Sequence, residues 1–157
     1  MEYLWAPWRT EFITRPKQEG CVLCDKPKSD RDRDNFVLYR GEHNYVMLNR
    51  WPYNPGHMMV IPYNHVGGLE DLTKKAMIEH SEIIRRCVKA VKKILNAEGC
   101  NLGMNLGKSA GAGIDAHIHT HVVPRWIGDM NFMPVIGDCK VVPEALDATY
   151  LKLKGHI

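Results

Sequence analysis

The chain has 157 residues, of which 45% are hydrophobic, 25% charged and 8% aromatic, and a formal net charge of +3. That length suits one domain, and that composition excludes a disordered, collagenous or supercharged protein. So small a charge makes no electrostatic case for nucleic-acid or membrane binding, and no apolar run approaches the roughly 20 residues of a membrane span.

The opening Met1-Glu2-Tyr3-Leu4-Trp5 lacks a basic and then apolar leader, so a cytoplasmic location is expected. Five cysteines, Cys21, Cys24, Cys87, Cys100 and Cys139, are odd in number and sparse. They point to free thiols or a metal in a reducing compartment rather than to a bridged scaffold.

In chain order, the alternating charges of residues 30–34 read as a solvated loop. Phe36 to Tyr39 and Tyr45 to Leu48 are short β-prone runs that read as a hairpin. Trp51 to Gly56 is a loop, because two prolines and a Pro-Gly pair forbid regular structure, and Met58 to Pro62 reads as a buried strand. From Thr73 the apolar residues Met77, His80, Ile84, Cys87, Val88, Val91 and Ile94 recur at helical steps. We expect one long helix of about six turns there, capped by Thr73 and stopped by Gly99, with His80 and Cys87 as core residents. Asn101 to Leu106 and Ala116 to Arg125 complete five strands, and a short helix is possible at Glu144 to Leu153. The class is α+β, with a five-stranded, mainly antiparallel sheet and one dominant helix. Residues 1–157 are expected to be one domain, its core at about 21–126 and an irregular extension over 127–157.

The most informative stretch is His117-Ile118-His119-Thr120-His121. Strand alternation puts all three imidazoles on one face, about 7 Å apart. Such a row suits either a chelated metal ion or a nucleophilic imidazole with helpers. Just upstream, Gly107-Lys108-Ser109 imitates the end of a phosphate-binding P-loop. Its required first glycine falls at Leu102 and a strand follows, so that reading is rejected. What remains is a glycine-rich loop whose backbone N–H groups, with Ser109 and Lys108, could approach an anion. Cys21-Val22-Leu23-Cys24 has the spacing of a zinc knuckle or a redox dithiol. No helical period follows it, which favours zinc, and two histidines must complete the set. His43, His57, His65, His80 and the row are all candidates, and spacing does not choose among them.

The row, with Asn54-Pro55-Gly56-His57-Met58-Met59-Val60-Ile61-Pro62 and the following Pro124-Arg125, resembles the histidine triad superfamily over about Cys21 to Trp126. Within it the chain is most similar to the fragile-histidine-type branch. Leu4 to Arg9 and Gly128 to Val135 resemble the bacterial diadenosine tetraphosphate phosphorylases. There are two departures: Thr120 stands where an apolar residue is usual, and Gly113 where hydrolases usually carry glutamine. Thr120 faces away from the site and is expected to matter little, whereas Gly113 leans towards phosphorolysis.

The resemblance implies a histidine triad fold, a homodimer and a nucleotide substrate. His119 would be the nucleophile that forms a covalent nucleotidyl-imidazole, with His121 at the phosphate and His57 in support. Asn49 would contact ribose, and Asn105 and Ser109 the phosphates; Lys108, Gly111 and Gly113 of the glycine-rich loop are expected to complete the substrate site. Cys21, Cys24, His65 and His117 would hold a structural zinc, with no catalytic metal. A neutral imidazole, abundant at pH 7 for an ordinary pKa near 6.5, can perform that attack. The expected reaction is cleavage of dinucleoside polyphosphates such as diadenosine tetraphosphate, by phosphorolysis to ATP and ADP. The alternatives are hydrolysis of dinucleoside polyphosphates or nucleoside phosphoramidates, a zinc hydrolase with His117, His119 and His121 on a catalytic ion, and a noncatalytic nucleotide-binding protein.

Overall fold

The computed structural model describes residues 20–130 and 140–157. Strands β1 (Val37–Arg40), β2 (Asn44–Leu48), β3 (Met58–Pro62), β4 (Gly99–Met104) and β5 (Thr120–Arg125) form one sheet in the order β1-β2-β3-β5-β4, antiparallel throughout. Helices α1 (Val22–Asp25) and α2 (Asp32–Asn35) precede it, α3 (Lys74–Ile94) links β3 to β4, and α4 (Leu146–Leu153) closes the chain. The α+β architecture expected from the sequence is the one observed.

Period-two alternation divides the sheet into two faces with different tasks. Val46, Leu48, Met58, Val60 and Val122 bury one face against Ile83, Cys87, Ala90 and Val91 of α3. Tyr45, Met47, Met59 and Ile61 look the other way and pack against Leu23 of the N-terminal segment. The Tyr45 hydroxyl donates to the Leu23 carbonyl at 2.6 Å, which ties that segment down. The second face also carries the histidines.

Several boundaries differ from expectation, each for a local reason. The Thr73 side chain does cap α3, accepting the Ala76 N–H at 3.2 Å. The helix stops at Ile94, however, because Asn96 adopts the left-handed conformation at φ 52° and Ala97 N–H bonds back to the Val91 carbonyl; Gly99 instead opens β4. β5 begins at Thr120 rather than Ala116, because the Ile118 N–H turns aside to the Val66 carbonyl and pairing with β3 stops at Val60↔Thr120, two residues short of the end of β3 at Pro62. Residues 32–35 form one helical turn, and Asp32 pairs with Arg40 and Lys154, so that stretch is more than a solvated loop.

The expected core boundary near Trp126 falls short. Tyr150 and Leu153 of α4, with Ile157, are buried in the same cluster as Leu48 and Val91. Cys139 and the resemblances at 4–9 and 131–135 lie outside the described residues.

Candidate active site

His57 enters the site from a loop whose shape requires glycine. Gly56 has φ 77°, and a Cβ there would run into Leu95 and Pro124. The turn aims His57 across to β5, where its Nε2 lies 2.9 Å from Nδ1 of His121. The His119 and His121 rings meet edge to face, their centroids 5.0 Å apart.

The partners of these rings fix their tautomers. The Tyr53 backbone N–H donates to His57 Nδ1 at 3.1 Å, so a neutral His57 carries its proton on Nε2 and donates it to His121 Nδ1. His121 then keeps its own proton on Nε2. The His117 carbonyl, 2.9 Å away, can only accept, so His119 Nδ1 is the protonated nitrogen and Nε2 presents a bare lone pair. Burial, reinforced by His121 and His119, pushes the pKa of His57 down to about 3, which keeps it neutral. Burial, followed by the nearby His119, also lowers that of His121.

A cleft of about 430 Å³ opens beside His121, lined among others by Tyr53, Asn101, Gly103, Asn105 and Arg125. Gly103 pairs with His121 across the β4–β5 ladder, and no heavy atom lies within 4 Å of where its Cβ would be, so the strand leaves room above the imidazole. A larger cavity of about 550 Å³, near Leu95 and Trp126, contains none of the histidines.

Of the expected substrate contacts, Asn105 lines the cleft. Asn49 sits beside His57, its N–H bonded to the His57 carbonyl at 2.8 Å and its side chain accepting from the Trp51 N–H. Lys108, Ser109, Gly111 and Gly113 are exposed in the loop between β4 and the histidines, and Lys108 faces Asp115 at 3.7 Å. A Cβ at Gly113 would meet nothing within 4 Å, so that position is open space. Sequence reasoning did not single out Tyr53, Asn101 or Gly103, and it noted Arg125 only as part of the family motif, not as a cleft residue. Alternation from His121 across to β4 could have found Gly103, whereas nothing in the Trp51 to Gly56 loop marks Tyr53.

The first histidine of the row does something else. His117 donates from Nε2 to the Pro62 carbonyl at 2.8 Å, which leaves Nδ1 free to ligate. That Nδ1 lies 3.2 Å from Cys21 Sγ and 3.4 Å from Cys24 Sγ, while His65 Nδ1 lies 3.3 Å from Cys24 Sγ. All four donor atoms fall within 4.8 Å of one another. Zn–S bonds of about 2.3 Å and Zn–N bonds of about 2.0 Å give tetrahedral edges of roughly 3.3–3.8 Å, so the set fits a Cys2His2 metal site. One helical turn does follow Cys21, contrary to expectation, yet the converging histidines favour metal over a dithiol. With Nε2 on the Pro62 carbonyl and Nδ1 turned to the two thiols, His117 has no ring nitrogen directed at an ion shared with His119 and His121, which speaks against the three-histidine catalytic metal.

Comparison with known proteins places this arrangement. Residues 30–126 match the HIT domain. The chain belongs to the HIT family. It is 38% identical to the AP-4-A phosphorylase of Mycobacterium tuberculosis, over 95% of this chain and 80% of that one. It is 32% identical to the asymmetrical bis(5'-nucleosyl)-tetraphosphatase of Schizosaccharomyces pombe, over 60% of this chain and 52% of that protein. Among solved structures it resembles a zinc-bound histidine triad family protein from Mycobacterium smegmatis, with a TM-score of 0.71 and 27% identity over 87% of this chain and 92% of that one. Within the HIT domain of this chain, the paired imidazoles and the cleft lie on the sheet face opposite α3.

Proposed function

We propose that this HIT-family enzyme transfers a nucleotidyl group from dinucleoside polyphosphates to inorganic phosphate, through a covalent adduct on His119. The observation that carries the reading is the bare Nε2 of His119, fixed by the His117 carbonyl and set beside a protonated Nε2 of His121. His119 Nε2 attacks the α-phosphorus, a P–N bond forms, and the P–O bond to the departing polyphosphate breaks. The leaving oxygen takes the electron pair, and His121 Nε2–H, backed by His57, stabilises the charge that develops. A phosphate oxygen then attacks the same phosphorus, and the lone pair returns to His119. Diadenosine tetraphosphate thus yields ATP in the first half and ADP in the second. The likeness to an AP-4-A phosphorylase supports phosphate as acceptor, as does the open space at Gly113.

Further parts of the reading concern assembly and metal. Cys21, Cys24, His65 and His117 hold a structural zinc, supported by their convergence and by the zinc-bound relative. Residues 1–157 act as one cytoplasmic domain, and two copies pair as a homodimer. The pairing is supported by β4, an edge strand on which Leu102 is 52% exposed. No described helix is long and apolar enough to cross a membrane.

The test is product analysis with diadenosine tetraphosphate and labelled phosphate. Label should enter ADP, with ATP as the other product, and turnover without phosphate should be slow. AMP accumulating at an undiminished rate, with the label left in free phosphate, would make the enzyme a hydrolase.

A further inference from the structure

Both ladders that hold β5 run out at one residue. Val60↔Thr120 and Met104↔Thr120 are the terminal pairs, so His119 is the first residue beyond the regular sheet. The chain there needs another anchor if the imidazole is to keep its aim. Thr120 supplies one on the opposite face. Its Oγ1 lies 2.7 Å from Nε2 of His80, whose Nδ1 lies 2.8 Å from Asn44 Oδ1. Asn44 Nδ2 gives its hydrogens to the Ala76 carbonyl at 3.0 Å and the Glu79 carboxylate at 2.8 Å. Its oxygen therefore accepts from His80 Nδ1–H, which leaves His80 Nε2 bare, and the Thr120 hydroxyl is the donor that satisfies it. Glu79 ends the chain by accepting the N–H groups of Glu42 and His43, each at 2.7 Å. Thr120, His80 and Asn44 are all buried, so the bonds among them are shielded from water, while the outer end at Glu79 is half-buried.

We propose that Thr120 and His80 are positioning residues for nucleotidyl transfer, the hydroxyl–imidazole bond setting the rotation of the chain that carries His119 and His121. The inference rests on the proposed role of His119. It corrects the expectation that Thr120 matters little: it does face away from the site, but it holds the strand end from behind. The apolar residue usual at this position would fill the space without a direction and would leave His80 Nε2 unsatisfied. A displacement of about 1 Å at a reacting nitrogen costs on the order of 100-fold in rate.

Single-turnover formation of the nucleotidyl adduct on His119 from diadenosine tetraphosphate tests this, together with steady-state kcat and KM. Thr120→Val should slow adduct formation and kcat by about 10- to 100-fold while KM stays within about threefold, and Thr120→Ser should recover the rate. Ile83→Val, in the core contributed by α3, gives a control that loses stability without touching the network, and its kcat should be unchanged. If Thr120→Val does not fold, Thr120→Ala carries the same test, since it removes the hydroxyl without pressing a methyl on His80. A wild-type rate in the hydroxyl-free variant, or a Ser variant as slow as Val, or an equal loss in Ile83→Val, overturns the proposal. Absence of any adduct in the wild-type protein would instead overturn the role of His119 itself.

Discussion

Three imidazoles here have their protons placed by backbone groups that can act in only one sense. A backbone N–H donates to His57, and backbone carbonyls accept from His119 and His117. The result is one bare nitrogen, one donor and one nitrogen turned towards two thiols within five residues. Burial also has a cost that can be measured. The pKa of His57 is pushed to about 3 and that of buried His80 to about 4, against about 6.5 for an unfolded histidine. Between those limits the unfolded chain binds more protons than the folded one, so stability is fully present above about pH 6.5 and is lost as pH falls. Each histidine contributes a slope of up to about 1.4 kcal/mol per pH unit in that window. Denaturant midpoints recorded from pH 7.5 down to pH 4.5 should fall steadily below pH 6.5, and a flat profile would contradict the neutral, buried state of both rings. The histidine row was legible in the sequence because alternation alone sends residues 117, 119 and 121 to one face. That His117 parts from the other two was implied by the family resemblance and not by alternation, since it depends on a carbonyl at Pro62 and thiols at Cys21 and Cys24, far away in the chain.

At the scale of elements, the segment around α1 depends on contacts outside itself. α1 has four residues and no side-chain cap, and it stays on the sheet through Leu23, the Tyr45 hydroxyl and the Cys2His2 set. Structural zinc yields about 10–16 kcal/mol in zinc-finger peptides, and loss of only ~3 kcal/mol would lower the melting temperature of a chain this size by about 6–12 °C. Cys24→Ser should therefore melt earlier by about that much and bind less than one zinc per chain, as read by calorimetry and elemental analysis. Unchanged melting, or protein purified without added metal that contains no zinc, would refute the structural ion. The long helix was legible from its period and its Thr73 cap, but its end was not. Asn96 takes the left-handed turn that Gly99 was expected to supply, because asparagine tolerates that conformation and Gly99 is drawn into pairing with Arg125. The contribution of α4 also escaped, since its eight residues show little amphipathic signal and only the folded sheet reveals where Tyr150 and Leu153 are buried.

The whole molecule divides its labour across one sheet. α3 and α4 pack a dry core on one face, and the other face carries the metal-site residues, the imidazole pair and the cleft. Strand β5 joins the two, with Thr120 and Val122 turned to the core side and His121 to the chemistry. The proposed chemistry turns on a bond between His119 Nε2 and the substrate phosphorus. Intact-protein and peptide mass spectrometry of reactions quenched during turnover of diadenosine tetraphosphate tests it most directly. An adenylyl adduct should be confined to His119 and discharged by inorganic phosphate, with no adduct or turnover in a folded His119→Ala variant. An unmodified protein at full turnover, or a His119→Ala enzyme with near-normal rate, would contradict it.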